Sequence, residues 1–147
     1  MRRALPLLPL LGALALAGCG NKPLSSGQLH DRASQVCLLA AERTAHIAAP
    51  QSPAGANVFL RRGIAVLTPE LTELRRLRPP SEVADVYSAS VAAFAKKLSY
   101  LDRAAQDLAT GGDPATAMQT LEHRLGPVIS QENGGWQALG IPDCVNH

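Results

Sequence analysis

Residues 81–112, reading SEVADVYSASVAAFAKKLSYLDRAAQDLATGG, decide the fold class. Val83, Val86 or Tyr87, Ser90, Val91, Phe94, Leu98, Leu101, Ala105 and Leu108 recur at three- and four-residue intervals over about seven turns, the period of a helix with one buried face. Ser81 is placed to cap its first turn. Glu82 and Asp85 lie where the helix dipole favours negative charge, and Gly111-Gly112 ends the element. A stripe of this length needs apolar faces to pack against, and the flanking sequence supplies three more.

Upstream, Leu60, Ile64, Leu67, Leu71, Leu74 and Leu77 form a stripe that stops at Arg78-Pro79-Pro80. It runs through Thr68-Pro69-Glu70. Thr68 could cap a new helix with Pro69 at its first position, or one helix could be kinked where Pro69 lacks an N–H and meets the Ala65 carbonyl. The stripe keeps its phase across the proline, which favours a single kinked helix. Before it, Leu29, Ala33, Val36, Cys37, Ala40, Thr44 and Ile47 form another amphipathic helix, with Ser25 or Ser26 as its cap and residues 49–55, rich in proline, as the loop that ends it. Downstream, Asp113-Pro114 restarts the chain, and Met118, Leu121, Leu125, Val128 or Ile129, Trp136 and Leu139 carry the fourth stripe. This is the weakest helix: Gly126-Pro127 should kink it, and Asn133-Gly134-Gly135 is a candidate break. Gly140-Ile141-Pro142 closes it. Four stripes, short loops and no period-two segment give an all-α fold, a four-helix up-down bundle with kinked second and fourth helices, in which helices one and four are neighbours.

The start of the chain reads differently. Arg2 and Arg3 precede an apolar run from Ala4 to Leu16 that is interrupted by Pro6, Pro9 and Gly12, then Leu16-Ala17-Gly18-Cys19. A membrane-spanning helix needs about 20 apolar residues and would be broken by the prolines, so the stretch fits a signal peptide better than an anchor helix. Residues 1–19 resemble the signals of bacterial lipoproteins. The resemblance implies diacylglycerol on the Cys19 thiol, cleavage between Gly18 and Cys19, and, with Gly20 in place of Asp, the outer membrane where the host has one. Two acyl chains anchor stably, at about 0.8 kcal/mol per buried methylene. The expected organisation is therefore a signal peptide over 1–18, a lipidated cysteine and flexible tether over 19–28, and the bundle over 29–147. A tether of about ten residues would hold the bundle within roughly 35 Å of the bilayer.

The 14 Lys and Arg exceed the 12 Asp and Glu only through Arg2 and Arg3, so the mature chain is neutral. With no net positive field, and only five aromatic residues for stacking, nucleic acid is not an expected partner. Arg61-Arg62, Arg75-Arg76-Arg78 and Lys96-Lys97 read as solvated, charge-balanced groups. Arg far outnumbers Lys and Ala is abundant, as in GC-rich bacterial genomes.

With Cys19 lipidated, Cys37 and Cys144 remain, and outside the cytoplasm an isolated pair is expected to be oxidised to a disulfide. Glu42 and His46, four apart and so on one side of helix one, are weak candidate metal ligands; Gln119 and His123 share a side of helix four in the same way. The Glu-x-x-His element from which bundles build metal sites is absent, and a solvated pair is the expected state. No cofactor is expected: Met118 with a histidine is the sole haem-like combination, and no covalent haem signature occurs. Nucleophile-elbow, zinc-protease and phosphate-loop motifs are likewise absent, so catalysis has no visible carriers and the chain is not expected to be an enzyme.

The early cysteine of helix one, the Leu-Arg-Pro-Pro-Ser-Glu stretch at 77–82 and the closing Ala-Leu-Gly-Ile-Pro-Asp-Cys at 138–144 resemble small uncharacterised helical lipoproteins and secreted proteins of GC-rich bacteria. That resemblance implies a bundle and the disulfide, and supplies no activity. The expected function is a non-catalytic, membrane-anchored envelope lipoprotein that serves a protein partner or a structural assembly. The alternative is an extracytoplasmic module that binds a small molecule, lipid or metal within the bundle.

Overall fold

The computed structural model describes residues 22–146. Arg2, Arg3, the apolar run, Gly18 and Cys19, the residue expected to carry lipid, lie outside the described residues, as does His147. Four helices follow one another: α1 (Ser26–Ala45), α2 (Ala56–Arg76), α3 (Ala84–Ala109) and α4 (Pro114–Ala138). Short 3₁₀ turns at Pro53–Gly55, Ser81–Val83 and Pro142–Cys144 lie between or after them, and no strand occurs among the described residues. No described helix is long and apolar enough to cross a membrane.

α1 begins three residues earlier than the sequence boundary at Leu29. Ser25 caps it with a reciprocal capping box: its hydroxyl accepts from the Gln28 N–H at 3.2 Å and the Gln28 side chain accepts from the Ser25 N–H at 3.0 Å. Ser26–Gln28, read as tether, are therefore helical. Leu24 is also held, packing against the core while its N–H donates to the Arg78 carbonyl at 2.8 Å.

α2 is one helix with Pro69 inside it. Thr68 does not cap a new segment; its hydroxyl donates back to the Ile64 carbonyl at 2.7 Å, and Thr72 does the same to Thr68 at 3.0 Å. Thr68 and Pro69 are exposed, so the rung that Pro69 cannot complete faces water.

Two expectations about helix ends fail. Ser81 makes no side-chain cap; Pro79-Pro80 feeds a 3₁₀ turn at Ser81–Val83 and α3 starts after it at Ala84. α4, in contrast, starts as expected, with Asp113 accepting from the Thr116 N–H at 2.8 Å and Pro114 at the first position. It then runs unbroken through Gly126-Pro127 and Asn133-Gly134-Gly135. The reason lies in packing. A Cβ built on Gly135 would collide with the Ser90 Oγ, so the close approach of α4 to α3 here requires a glycine, and the contact outweighs the weak helix preference of the pair.

The core divides into two clusters. One gathers Leu29, Ala33 and Cys37 of α1 with Leu67, Leu71 and Leu74 of α2, Phe94 of α3 and Trp136 of α4; the other joins Leu60, Ala104, Ala105 and Leu121 from α2, α3 and α4 alone. Each helix packs on its successor. α1 and α4 were expected as neighbours, yet α1 meets the end of the chain mainly through the 3₁₀ turn Pro142–Cys144. The Cys37–Cys144 disulfide makes that junction covalent, with Cα atoms 5.1 Å apart and both cysteines fully buried.

Candidate functional site

Glu42 and His46, the weak metal candidates, are both exposed, the first on α1 and the second at its C-cap. No group of three His, Cys, Asp or Glu side chains suited to a metal ion occurs among the described residues. Gln119 and His123 are also exposed on α4, and the His30 imidazole lies 3.2 Å from the neighbouring Asp31 carboxylate, both at the surface. Met118 sits half-buried against the second core cluster. Of the sites read from sequence, the structure brings together Cys37 and Cys144.

The reading of Lys96-Lys97 as a solvated pair is wrong for Lys97. Its ammonium is buried, 2.9 Å from a Glu132 carboxylate oxygen on α4 and 4.5 Å from the centroid of the Phe94 ring. Lys97 and Glu132 are 5% and 1% exposed. Glu70 of α2 is a third buried charged residue, in phase with Leu67, Leu71 and Leu74. A charge taken out of water needs an opposite charge or hydrogen bonds to survive, and the Lys97–Glu132 pair meets that need across the α3–α4 interface. It is inaccessible to a substrate, so its work is to hold two helices.

Above this pair, Tyr87 packs edge-on against Trp136, with ring centroids 5.7 Å apart. The Tyr87 hydroxyl donates to the Leu74 carbonyl at 2.7 Å, and burial pushes its phenol well above the ordinary value. At the other end of α2, the Asn57 amide donates to the Ala105 carbonyl at 2.6 Å. Asp113 is held below the usual carboxylate range by the hydroxyl and then the backbone N–H of Thr116, which both donate to it.

One accessible feature with mixed chemistry is a groove of about 220 Å³ between α3 and α4. Ala104, Ala117 and Leu121 form its buried floor. Small residues face each other there, so the helices leave a space where larger side chains would interdigitate. Tyr100, Arg103 and Asp107 line one wall and Thr116, Thr120 and Arg124 the other. The Arg124 guanidinium lies 5.8 Å from the Tyr100 ring centroid, and Lys96 lies 5.9 Å from the same centroid. Neither Arg103 nor Arg124 forms an ion pair among the described residues. Sequence reasoning missed this groove, although Arg103 and Asp107, like Thr120 and Arg124, are four residues apart and so share a helix face.

Comparison of the chain with known protein families, with curated proteins and with solved structures finds no match.

Proposed function

We propose that the chain is a bacterial envelope lipoprotein, anchored by lipid on Cys19 after cleavage at Gly18, that acts without catalysis as a protein-interaction or structural module close to the membrane. The observation that carries this reading is the buried Cys37–Cys144 disulfide. Such bonds persist in oxidising compartments outside the cytoplasm, the side to which a lipobox signal delivers its cargo. The partner is an envelope protein, and the location is the outer membrane where the host has one.

In this reading the domain is an up-down bundle bent at Pro69 and Pro127. Two contacts at opposite ends of α2 support the alternating directions: Tyr87 near the start of α3 reaches Leu74, and Ala105 near its end receives Asn57. Leu38 and Leu39, adjacent on α1 and 54% and 46% exposed, offer apolar area to a protein partner.

The test has two arms. Cys19→Ala should shift the chain from the membrane to the soluble envelope fraction, and continued full membrane association would sink the anchoring reading. A photo-crosslinker at Leu38 or Leu39 should trap a discrete envelope protein in cells; labelling no partner above background would sink the interaction reading.

A further inference from the structure

We propose that the groove between α3 and α4 binds a small organic anion, with Arg103 and Arg124 holding its carboxylate or phosphate. The inference rests on the groove and is independent of where the chain is anchored. Two guanidinium groups from different helices border one concavity, and neither is neutralised by an ion pair among the described residues. A guanidinium presents a planar fork of donors suited to two oxygens of a carboxylate or phosphate. Arg124 is further positioned over the Tyr100 ring, which reduces the motion it would lose on binding.

The remaining walls define the rest of the ligand. Ala104, Ala117 and Leu121 are buried and apolar, so a short hydrocarbon body fits the floor. The Thr120 hydroxyl makes no hydrogen bond among the described residues and is available to the ligand, whereas Thr116 already donates to Asp113 at 2.7 Å. Asp107, exposed at one edge, repels a second anionic group and accepts from a hydroxyl or ammonium. The groove therefore selects a compact molecule with one oxyanion over a polyanion. At about 220 Å³ it is smaller than a site for a drug-sized ligand.

The test is a nuclear magnetic resonance titration of the full chain, purified in mild detergent, with inorganic phosphate, propionate and the neutral analogue propionamide. Saturable shifts are expected at the amides of Tyr100, Ala104, Thr116 and Thr120 with at least one of the two anions, and none with propionamide. Binding by one anion alone supports the site and tells whether it prefers a tetrahedral or a planar oxyanion. Arg103→Gln and Arg124→Gln should each weaken binding by about tenfold or more, while Arg43→Gln, exposed on α1 and outside the groove, should change it less than about twofold. Thr120→Leu, on the exposed rim, should abolish binding by occupying the space without altering charge. The proposal is overturned if neither anion gives saturable shifts, if propionamide binds equally well, if the Arg103 and Arg124 variants bind like the parent, or if Arg43→Gln weakens binding as much as they do.

Discussion

Replacing Glu132 by leucine removes the carboxylate that lies 2.9 Å from the Lys97 ammonium, at a place where Lys97 is 5% exposed and water cannot substitute for it. Removing one partner of a buried ion pair costs about 3–5 kcal/mol, because the surviving charge stays desolvated. Replacing both partners by apolar groups of similar volume is often close to neutral. Glu132→Leu and Lys97→Met should therefore each destabilise by about 3–5 kcal/mol, while the double variant should cost at least about 2 kcal/mol less than the sum of the two. For a domain of this size, about 4 °C of melting temperature corresponds to 1 kcal/mol, so each single variant should melt some 12–20 °C lower. Urea unfolding followed by circular dichroism measures the four corners of the cycle. Single variants within about 1 kcal/mol of the parent, or a double variant equal to the sum, would refute the argument that this pair ties α3 to α4.

Gly134→Ala, with open space around its built Cβ, should stabilise by up to about 1 kcal/mol, whereas Gly135→Ala should destabilise by about 1–3 kcal/mol through its clash with Ser90; melting curves of the two neighbours decide the point. Reducing the Cys37–Cys144 bond, which closes a loop of 107 residues, should cost about 4.7 kcal/mol on loop-closure entropy, read as a lower urea midpoint in the presence of reductant. The raised phenol of Tyr87 means that the folded state retains a proton the unfolded chain gives up. The stability it confers is present below the ordinary tyrosine pKa of about 10 and is lost as pH rises beyond it. Tyr87→Phe should flatten that alkaline loss. Asp113 has the opposite sign: its cap is present above the carboxylate range and is lost as pH falls through the depressed value, so Thr116 amide exchange should accelerate in acid, and Asp113→Asn should abolish that dependence.

The helices were legible because their stripes are long and keep phase, and the single-helix choice at Pro69 followed from phase alone. The close contact at Gly135 was hidden, since the Asn-Gly-Gly composition signals a break unless the opposing Ser90 is known. The buried charges were hidden by reading polarity before position. Lys97 is in phase with Phe94 and Leu101, Glu132 with Val128 and Trp136, and Glu70 with Leu67 and Leu74, so each stood on a core stripe from the outset. Position on the stripe decides burial, and pairing across helices makes it tolerable, as the Lys97–Glu132 contact shows. The α3–α4 groove depends on which alanines of two separate helices meet, a tertiary fact that no local pattern contains. Residues 81–83 failed as a cap because the two preceding prolines constrain the entry of the chain more strongly than the serine hydroxyl does.

The hydrogen bond from the Leu24 N–H to the Arg78 carbonyl sets the length of a leash. From Cys19 to Leu24 the covalent chain can reach about 17 Å when fully extended, half of what a tether ending at Leu29 would allow. For a chain lipidated at Cys19, the α2–α3 turn is the end of the domain drawn toward the bilayer. Tyr100 lies sixteen residues along α3 from Ala84, about 24 Å of helix farther out. In such a molecule the Arg103–Arg124 groove belongs to the half of α3 remote from the mooring, so a ligand could reach it from the aqueous side without meeting the anchored end first.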